Sequence, residues 1–307
     1  MRKVFVLAPG EDWIVDRFVS EWNIDNSDIS VRDPADADVI WLLADWAWTQ
    51  IPRSVLYGKK VLCTVHHVVP QKFGMRERMD FEFRDRYITA YQVPNKHTEA
   101  FIRPLTERPI HVIPYWANQK IWHATGTQAE LRMKHGLPPA PTYLIGSFQR
   151  DTEGAGIYKG VYLPKSEKGP DLLADAIITY RDRCAHLFPL KVVLAGWRRQ
   201  YVMSRLTNAG ISCFYFEKPA QETINELYQA LNLYPVTARQ EGGPQSLVEC
   251  GLLGVPCVSR DIGIASEVLS PSAINDDVTK AAPEVPNVER LRLPAGYAPF
   301  RRLIEAL

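Results

Sequence analysis

The sequence predicts an α/β protein made of two doubly wound domains, and three observations carry that prediction. Short β-rich runs alternate along the chain with amphipathic stretches of helical period, the signature of parallel strands joined by crossover helices. The rhythm breaks once, where the chain turns polar over 116–124, and starts afresh near 143. The chain has 307 residues, 46% of them hydrophobic and 23% charged, which is enough for two domains of roughly 115 and 170 residues, each able to bury its own core.

Taken in order, strands are expected at 4–8, 28–31, 39–44, 60–65, 87–93 and 110–114, with helices at 13–22 and 95–102 between them. Residues 71–86 mix charges with Phe, Met and Arg and read as a solvated helix or loop near a ligand cleft. In the second part, strands are expected at 143–147, 191–196, 211–217, 232–236 and 255–260. Helices fall at 171–183, 200–208, 220–231 and 244–253. The domains are then 1–117 and 118–287. A last segment, 288–307, ends in the helical FRRLIEAL and is placed across the domain junction.

A formal net charge of +1 gives no global field toward nucleic acid. Five cysteines, at 63, 184, 213, 250 and 257, make an odd count without C-x-x-C spacing. They fit neither a disulfide framework nor a zinc site and point to a reducing compartment. The opening MRKVFVLAPGEDW is too short an apolar run for a signal peptide and reads as a strand entering a loop. The expected location is cytoplasmic, compatible with a peripheral contact at the inner face of a membrane.

The chemistry concentrates in EGGPQSLVECGLLGVPCVS, residues 241–259. Here a strand end leads through a glycine turn into a helix with Pro244 as its first residue, a position where the missing N–H has no partner to lose. Gly242 and Gly243 let the backbone approach a ligand closely. The helix start then offers the N–H groups of Gln245, Ser246 and Leu247 to an anion, most often a phosphate. Glu241 stands before the turn and Glu249 more than one helical turn beyond it. Carboxylates suit vicinal hydroxyls, as on the ribose of dinucleotide folds. A phosphate flanked by two polyols is a nucleotide-sugar.

Glutamate, seven residues, glutamate, then Gly-x-x-Gly-x-Pro resembles the donor-site signature of family-4 retaining glycosyltransferases. The resemblance implies the GT-B fold, two Rossmann-like domains facing each other across a cleft. It implies that Glu241 contacts the transferred sugar and Glu249 the donor ribose, with no metal or cofactor required. The family sets an arginine after the first strand of the second domain and a lysine before a helix-opening glycine. Lys168-Gly169-Pro170 matches the lysine element, whereas the usual Gly-Arg is replaced by Gly146-Ser147-Phe148-Gln149-Arg150. Arg150 and Lys168 are therefore assigned to the diphosphate, with Lys165 in reserve. Pairing with Asp151 is the alternative for Arg150. Some fifteen extra residues precede Lys168, and they can cover the donor or shape the acceptor entrance.

In the first domain the strand at 60–65 runs into His66-His67, which resembles the family histidine that reaches the donor sugar. His66 is favoured and His67 is kept on the acceptor side. The loop with Gly10 and Glu11 resembles the family's glycine-rich loop against phosphates or acceptor. Trp41 sits in an apolar run and reads as core, while Trp46 and Trp48 offer faces for sugar stacking and Asp45, just before Trp46, lies among the three tryptophans where it can orient an acceptor hydroxyl. The base is expected near 196–199 and 216–219. The resulting expectation is a retaining transferase moving a hexose-like unit from a UDP- or GDP-linked sugar to a glycan or lipid-linked hydroxyl. A catalytically silent nucleotide-sugar-binding subunit and a sugar-nucleotide epimerase are the rival readings.

Overall fold

The structure is a computed structural model and describes residues 1–11, 14–154 and 157–307. It divides into two compact units, 1–115 with 294–307, and 116–293. The expected boundary at 117 thus falls at 115. Residues 288–293 stay with the second unit, where Val288 and Leu291 are buried in its core.

The first unit holds β1 (Val4–Val6), α1 (Ile14–Asp25), β2 (Val39–Leu42), α2 (Arg53–Tyr57), β3 (Lys60–Thr64), α3 (Met75–Asp85), β4 (Ala90–Val93), α4 (Lys96–Ile102) and β5 (Ile110–Val112). All five strands are parallel, in the order β1-β2-β3-β4-β5. The strand expected at 28–31 shrinks to a single parallel bridge, Ser30 to Val4. Even so, it lies on the free edge of β1, because Val4 N donates to Ile29 O and Val31 N to Val4 O. The chain therefore goes first to one side of β1 and then to the other, which makes the crevice between β1 and β2 a topological switch point. Trp13, the expected start of the first helix, lies outside the described residues.

A buried polar chain crosses this sheet: Trp41 Nε1 donates to Thr64 Oγ1 at 2.9 Å, Thr64 to Gln92 Oε1 at 2.7 Å, and Gln92 Nε2 to Ile113 O at 2.6 Å. Every polar atom in that relay finds a partner, as burial demands. Trp41 is core, as read. The terminal helix α11 (Ala298–Ala306) completes the same core. Its Phe300 stacks on Trp41 at 5.2 Å, and Tyr297 meets Trp22 edge-on at 5.4 Å.

The second unit holds α5 (Gln128–Lys134), β6 (Tyr143–Ser147), α6 (Pro170–Cys184), β7 (Leu190–Ala195), α7 (Gln200–Asn208), β8 (Cys213–Phe216), α8 (Gln221–Gln229), β9 (Tyr234–Val236), α9 (Gln245–Leu253), β10 (Cys257–Ser259) and α10 (Ala265–Val268). β6-β7-β8 and β9-β10 are parallel ribbons. A bridge between Ile145 and Leu233 joins β6 to β9, so the order runs β8-β7-β6-β9-β10 and reverses between β6 and β9. Ligands of open α/β sheets bind at such a reversal, beyond the carboxyl ends of the strands. Among the described residues no helix is long and apolar enough to cross a membrane.

Candidate functional site

At the reversal in the second unit, the loop that leaves β6 and enters α6 is laced to the loop that leaves β9. Arg239 N and Gln240 N donate to Glu167 O at 2.8 and 3.1 Å. The Arg239 guanidinium grips Asp171 through two bonds of 2.8 and 2.6 Å, the fork geometry that gives such pairs their direction. Gly169 is the crossing point. It stands at φ +57°, and a Cβ there would lie 2.0 Å from Thr237 O. Only glycine lets the two backbones touch here, and Thr237 Oγ1 closes the contact by donating to Gly169 O at 3.1 Å.

That crossing sets the functional pair. Lys168 Nζ lies 2.6 Å from Glu241 Oε1, both side chains 14% exposed, across 73 positions of sequence. Gln149 Nε2 holds the Lys168 carbonyl at 2.9 Å. α9 has neither a side-chain cap nor an acid in its first turn, so its start presents uncompensated N–H dipoles, whereas the α6 start already carries Asp171, whose carboxylate accepts from the Asp171 and Leu172 amides. Gly243 is needed for the approach, since a Cβ on it would stand 2.6 Å from Gln245 N.

Two details of the α9 start differ from the sequence reading. Pro244 is the cap, extended at ψ 138°, and the helix begins at Gln245. The Leu247 N–H is already bonded to Pro244 O at 3.1 Å and its side chain is buried, which leaves Gln245 and Ser246 as the residues that open the helix. Glu249, 8% exposed, accepts from the Tyr228 hydroxyl at 2.8 Å. Burial, and then the Glu249 carboxylate beside it, hold the Tyr228 phenol well above its usual range, so it stays a donor and orients Glu249.

The arginine element is rearranged. Arg150 Nε donates to Thr152 O at 3.1 Å, and its guanidinium lies over the Trp197 ring at 5.5 Å. Asp151 does not pair with it. Asp151 is buried against Arg199 Nε at 2.6 Å, and Arg199, fully buried, also donates to Ser147 O, Ser147 Oγ and Ala195 O. Arg199, expected near the base, is thus a pin between the ends of β6 and β7. Lys165 lies 3.5 Å from Glu167. Burial lowers the Lys165 pKa, and Arg150 and Lys168 push the same way against the pull of Glu167. Three cations, Lys165, Arg150 and Lys168, therefore share one electrostatic neighbourhood. Around Trp197, Arg198 and Lys218 lie 3.7 and 4.6 Å from the ring centroid.

In the first unit Glu11 and Trp46 meet at the β1/β2 switch point. Trp46 Nε1 donates to Glu11 Oε1 at 2.9 Å, and the Trp46 ring stays 42% exposed. Asp16 fixes the loop by accepting from Gly10 N and Glu11 N at 2.9 and 2.8 Å, with Gly10 at φ +75°. The other acceptor-side candidates turn inward. Trp48 is buried and donates to Asp80 at 3.0 Å, and the Asp45 carboxylate pairs with buried Arg84 at 3.0 Å. Both serve as a foundation under Trp46, because a buried arginine needs those acids.

His66 also turns inward. Its Nε2 lies 2.7 Å from Leu43 O, which can only accept, so Nε2 carries the proton and Nδ1 accepts from the Tyr115 hydroxyl at 2.5 Å. Both ring nitrogens are spent within the first unit, which argues against a donor contact through this ring. His67 is half-buried. Burial pulls the His66 pKa down to about 4, against an upward pull from Asp45. A folded pKa below the unfolded one means that the neutral ring stabilises the fold above about pH 6.5, and that this stability drains as pH falls toward about 4. The loss expected is about 1–3 kcal/mol, allowing for partial exposure. Urea midpoints of wild type and His66→Gln at about pH 7 and pH 4.5 check it. Equal pH sensitivity in the two proteins would overturn the assignment.

Tyr228, Arg239 and Asp171 were not foreseen in the sequence. Arg239 sits two residues before Glu241, so its loop was marked, but its partner lies 68 positions away. Among the described residues no group of three or more His, Cys, Asp or Glu side chains is placed to hold a metal ion.

Residues 157–291, all within the second unit, match the family model described as glycosyl transferases group 1. No curated protein sequence matches the chain. Solved structures share its fold. HepE from Anabaena in complex with UDP-glucose is 14% identical, with a TM-score of 0.68 over 100% of this chain and 89% of that one. Sucrose-phosphate synthase from Thermosynechococcus elongatus is 15% identical, with a TM-score of 0.59 over 84% and 63%. A UDP-forming trehalose-phosphate synthase from Burkholderia xenovorans is 11% identical, with a TM-score of 0.58 over 95% and 73%. The chain has the α/β, GT-B fold that these structures share, and its residues 157–291 are similar to the glycosyl transferases group 1 domain.

Proposed function

We propose that the protein is a retaining glycosyltransferase that takes a hexose-like unit from a nucleoside diphosphate sugar, UDP-linked in the first instance. The observation that carries this reading is the Lys168–Glu241 pair at 2.6 Å, set beside the uncapped α9 start where the sheet order reverses. In this reading Lys168 and the α9 start hold the diphosphate. Glu241 accepts from a hydroxyl of the transferred sugar, and Glu249, aimed by Tyr228, accepts from the ribose. As the glycosidic bond breaks, the sugar becomes cationic and charge builds on the leaving diphosphate. Fixed donors aimed there lower the barrier without reorganising. The acceptor hydroxyl passes its proton to the leaving phosphate oxygen on the same face, so no side-chain base is assigned. Glu11 and Trp46 form the acceptor-side surface, a ring face for stacking beside a carboxylate.

A second reading has one observation in its favour. Ser147 stands where the family has arginine, and Arg199 is spent on a buried pin while Arg150 bonds the Thr152 carbonyl through Nε, as a silent nucleotide-sugar-binding subunit would tolerate. Incubation with a panel of UDP- and GDP-sugars separates the two. The enzyme releases nucleoside diphosphate and gives a product with the donor's anomeric configuration by NMR. Thermal stabilisation by a donor without any release marks the binder, and inversion refutes the retaining mechanism.

A further inference from the structure

Helix α3 carries apolar side chains on the side where a surface helix should be polar. Its buried residues are Phe81 and Arg84, and at 100° per residue these define the side that faces the core. Met75, Met79 and Phe83 follow one another at four-residue steps on the opposite side, 75%, 48% and 46% exposed. An unpartnered apolar stripe of this kind marks a contact surface.

The charges around it are sorted by sign. Arg76, Arg78 and Arg86 are exposed, and the Arg86 guanidinium lies 4.7 Å over the Phe83 ring. Three of the four acids are drawn away from the stripe. Asp80 accepts from Trp48 and pairs with Arg84, Asp85 accepts from the Tyr91 and Thr106 hydroxyls, and Glu77 accepts from Gly74 N. Glu82 is the one acid of α3 on the outward side. The helix therefore shows its surroundings an apolar ridge bordered by arginines.

We propose that α3 docks the protein on a bilayer with anionic headgroups. Met75, Met79 and Phe83 enter the boundary of the acyl region, and the arginines meet headgroup phosphates. An apolar ridge with a basic border is the chemistry of an interfacial helix, whereas a second copy of this chain would meet the same arginines with like charge. α3 begins beyond the carboxyl end of β3, the edge of the sheet from which Glu11 and Trp46 also project. Docking brings the acceptor-side surface to the lipid, as a lipid-linked acceptor requires. The docking itself does not depend on the proposed reaction.

The test is sedimentation of the full chain with vesicles of phosphatidylcholine, with and without about one-third phosphatidylglycerol. Expected is at least about tenfold stronger binding to the anionic vesicles, weakening as salt rises. Met79→Ser/Phe83→Ser and, separately, Arg76→Glu/Arg78→Glu each lose about tenfold or more of it, with circular dichroism and UDP affinity unchanged. Wild type that stays in the supernatant with anionic vesicles overturns the proposal. So does binding that both variants retain, or a dimer in sedimentation velocity that Met79→Ser/Phe83→Ser abolishes.

Discussion

Lys168→Ala is expected to lower turnover of the nucleotide-sugar by about 10²–10³-fold, the usual loss when one preset donor to a developing anion is removed. The effect belongs in kcat more than in KM, because the ammonium matters most as charge moves onto the leaving diphosphate. Its position is already fixed before any substrate arrives. Gly169 holds the backbone against Thr237, Gln149 holds the Lys168 carbonyl, and Glu241 holds the ammonium. The pair is partly open to solvent, so the cost to stability should stay below about 2 kcal/mol. Steady-state kinetics beside a thermal melt separate the two effects. A variant that melts normally and turns over at the wild-type rate removes Lys168 from the diphosphate site.

Arg199→Met should act in the opposite manner, on the fold first. The substitution keeps the volume of the stem but strands the Asp151 carboxylate, which is 1% exposed, and leaves Ser147 O and Ala195 O without this donor. Breaking a buried ion pair by removing one partner costs about 3–5 kcal/mol. Adding Asp151→Leu should recover a good part of that, because an apolar pair leaves no uncompensated charge. Urea unfolding of the single and double variants gives both numbers. A single variant within about 0.5 kcal/mol of wild type would show that the pin carries no load. Turnover should fall as well, since the pin also sets the loop that leads to Arg150 and Gln149.

Local patterns in the chain reach a long way in this protein. The strand at 143–147, the helix at 200–208 and the helix opened by the glycines before Pro244 are visible because hydrophobic period, glycine and proline act within a few residues. The Glu241 and Lys168 motifs are visible for the same reason, since each is a short run with its own backbone demand. Legibility ends where a side chain's partner is remote. Nothing near Trp48, Asp45 or His66 in the chain distinguishes a residue that faces a ligand from one that braces the core. Arg84 and Tyr115 make that choice, from 39 and 49 positions away. Arg199 is expected near the base on the same ground, because two arginines follow neighbouring strands near one aspartate and packing gives Asp151 to the buried one.

From the residues alone came the α/β class, the two successive sets of strands and helices, and the glycine bend with a carboxylate on either side, all consequences of forces that act within a helical turn or a strand. The folded chain settled three other things: that 294–307 returns to the first unit, that Lys168 and Glu241 are neighbours, and which polar side chains are buried. Those outcomes depend on contacts tens or hundreds of positions apart, where the free energy of burial, rather than any local preference, selects the partner.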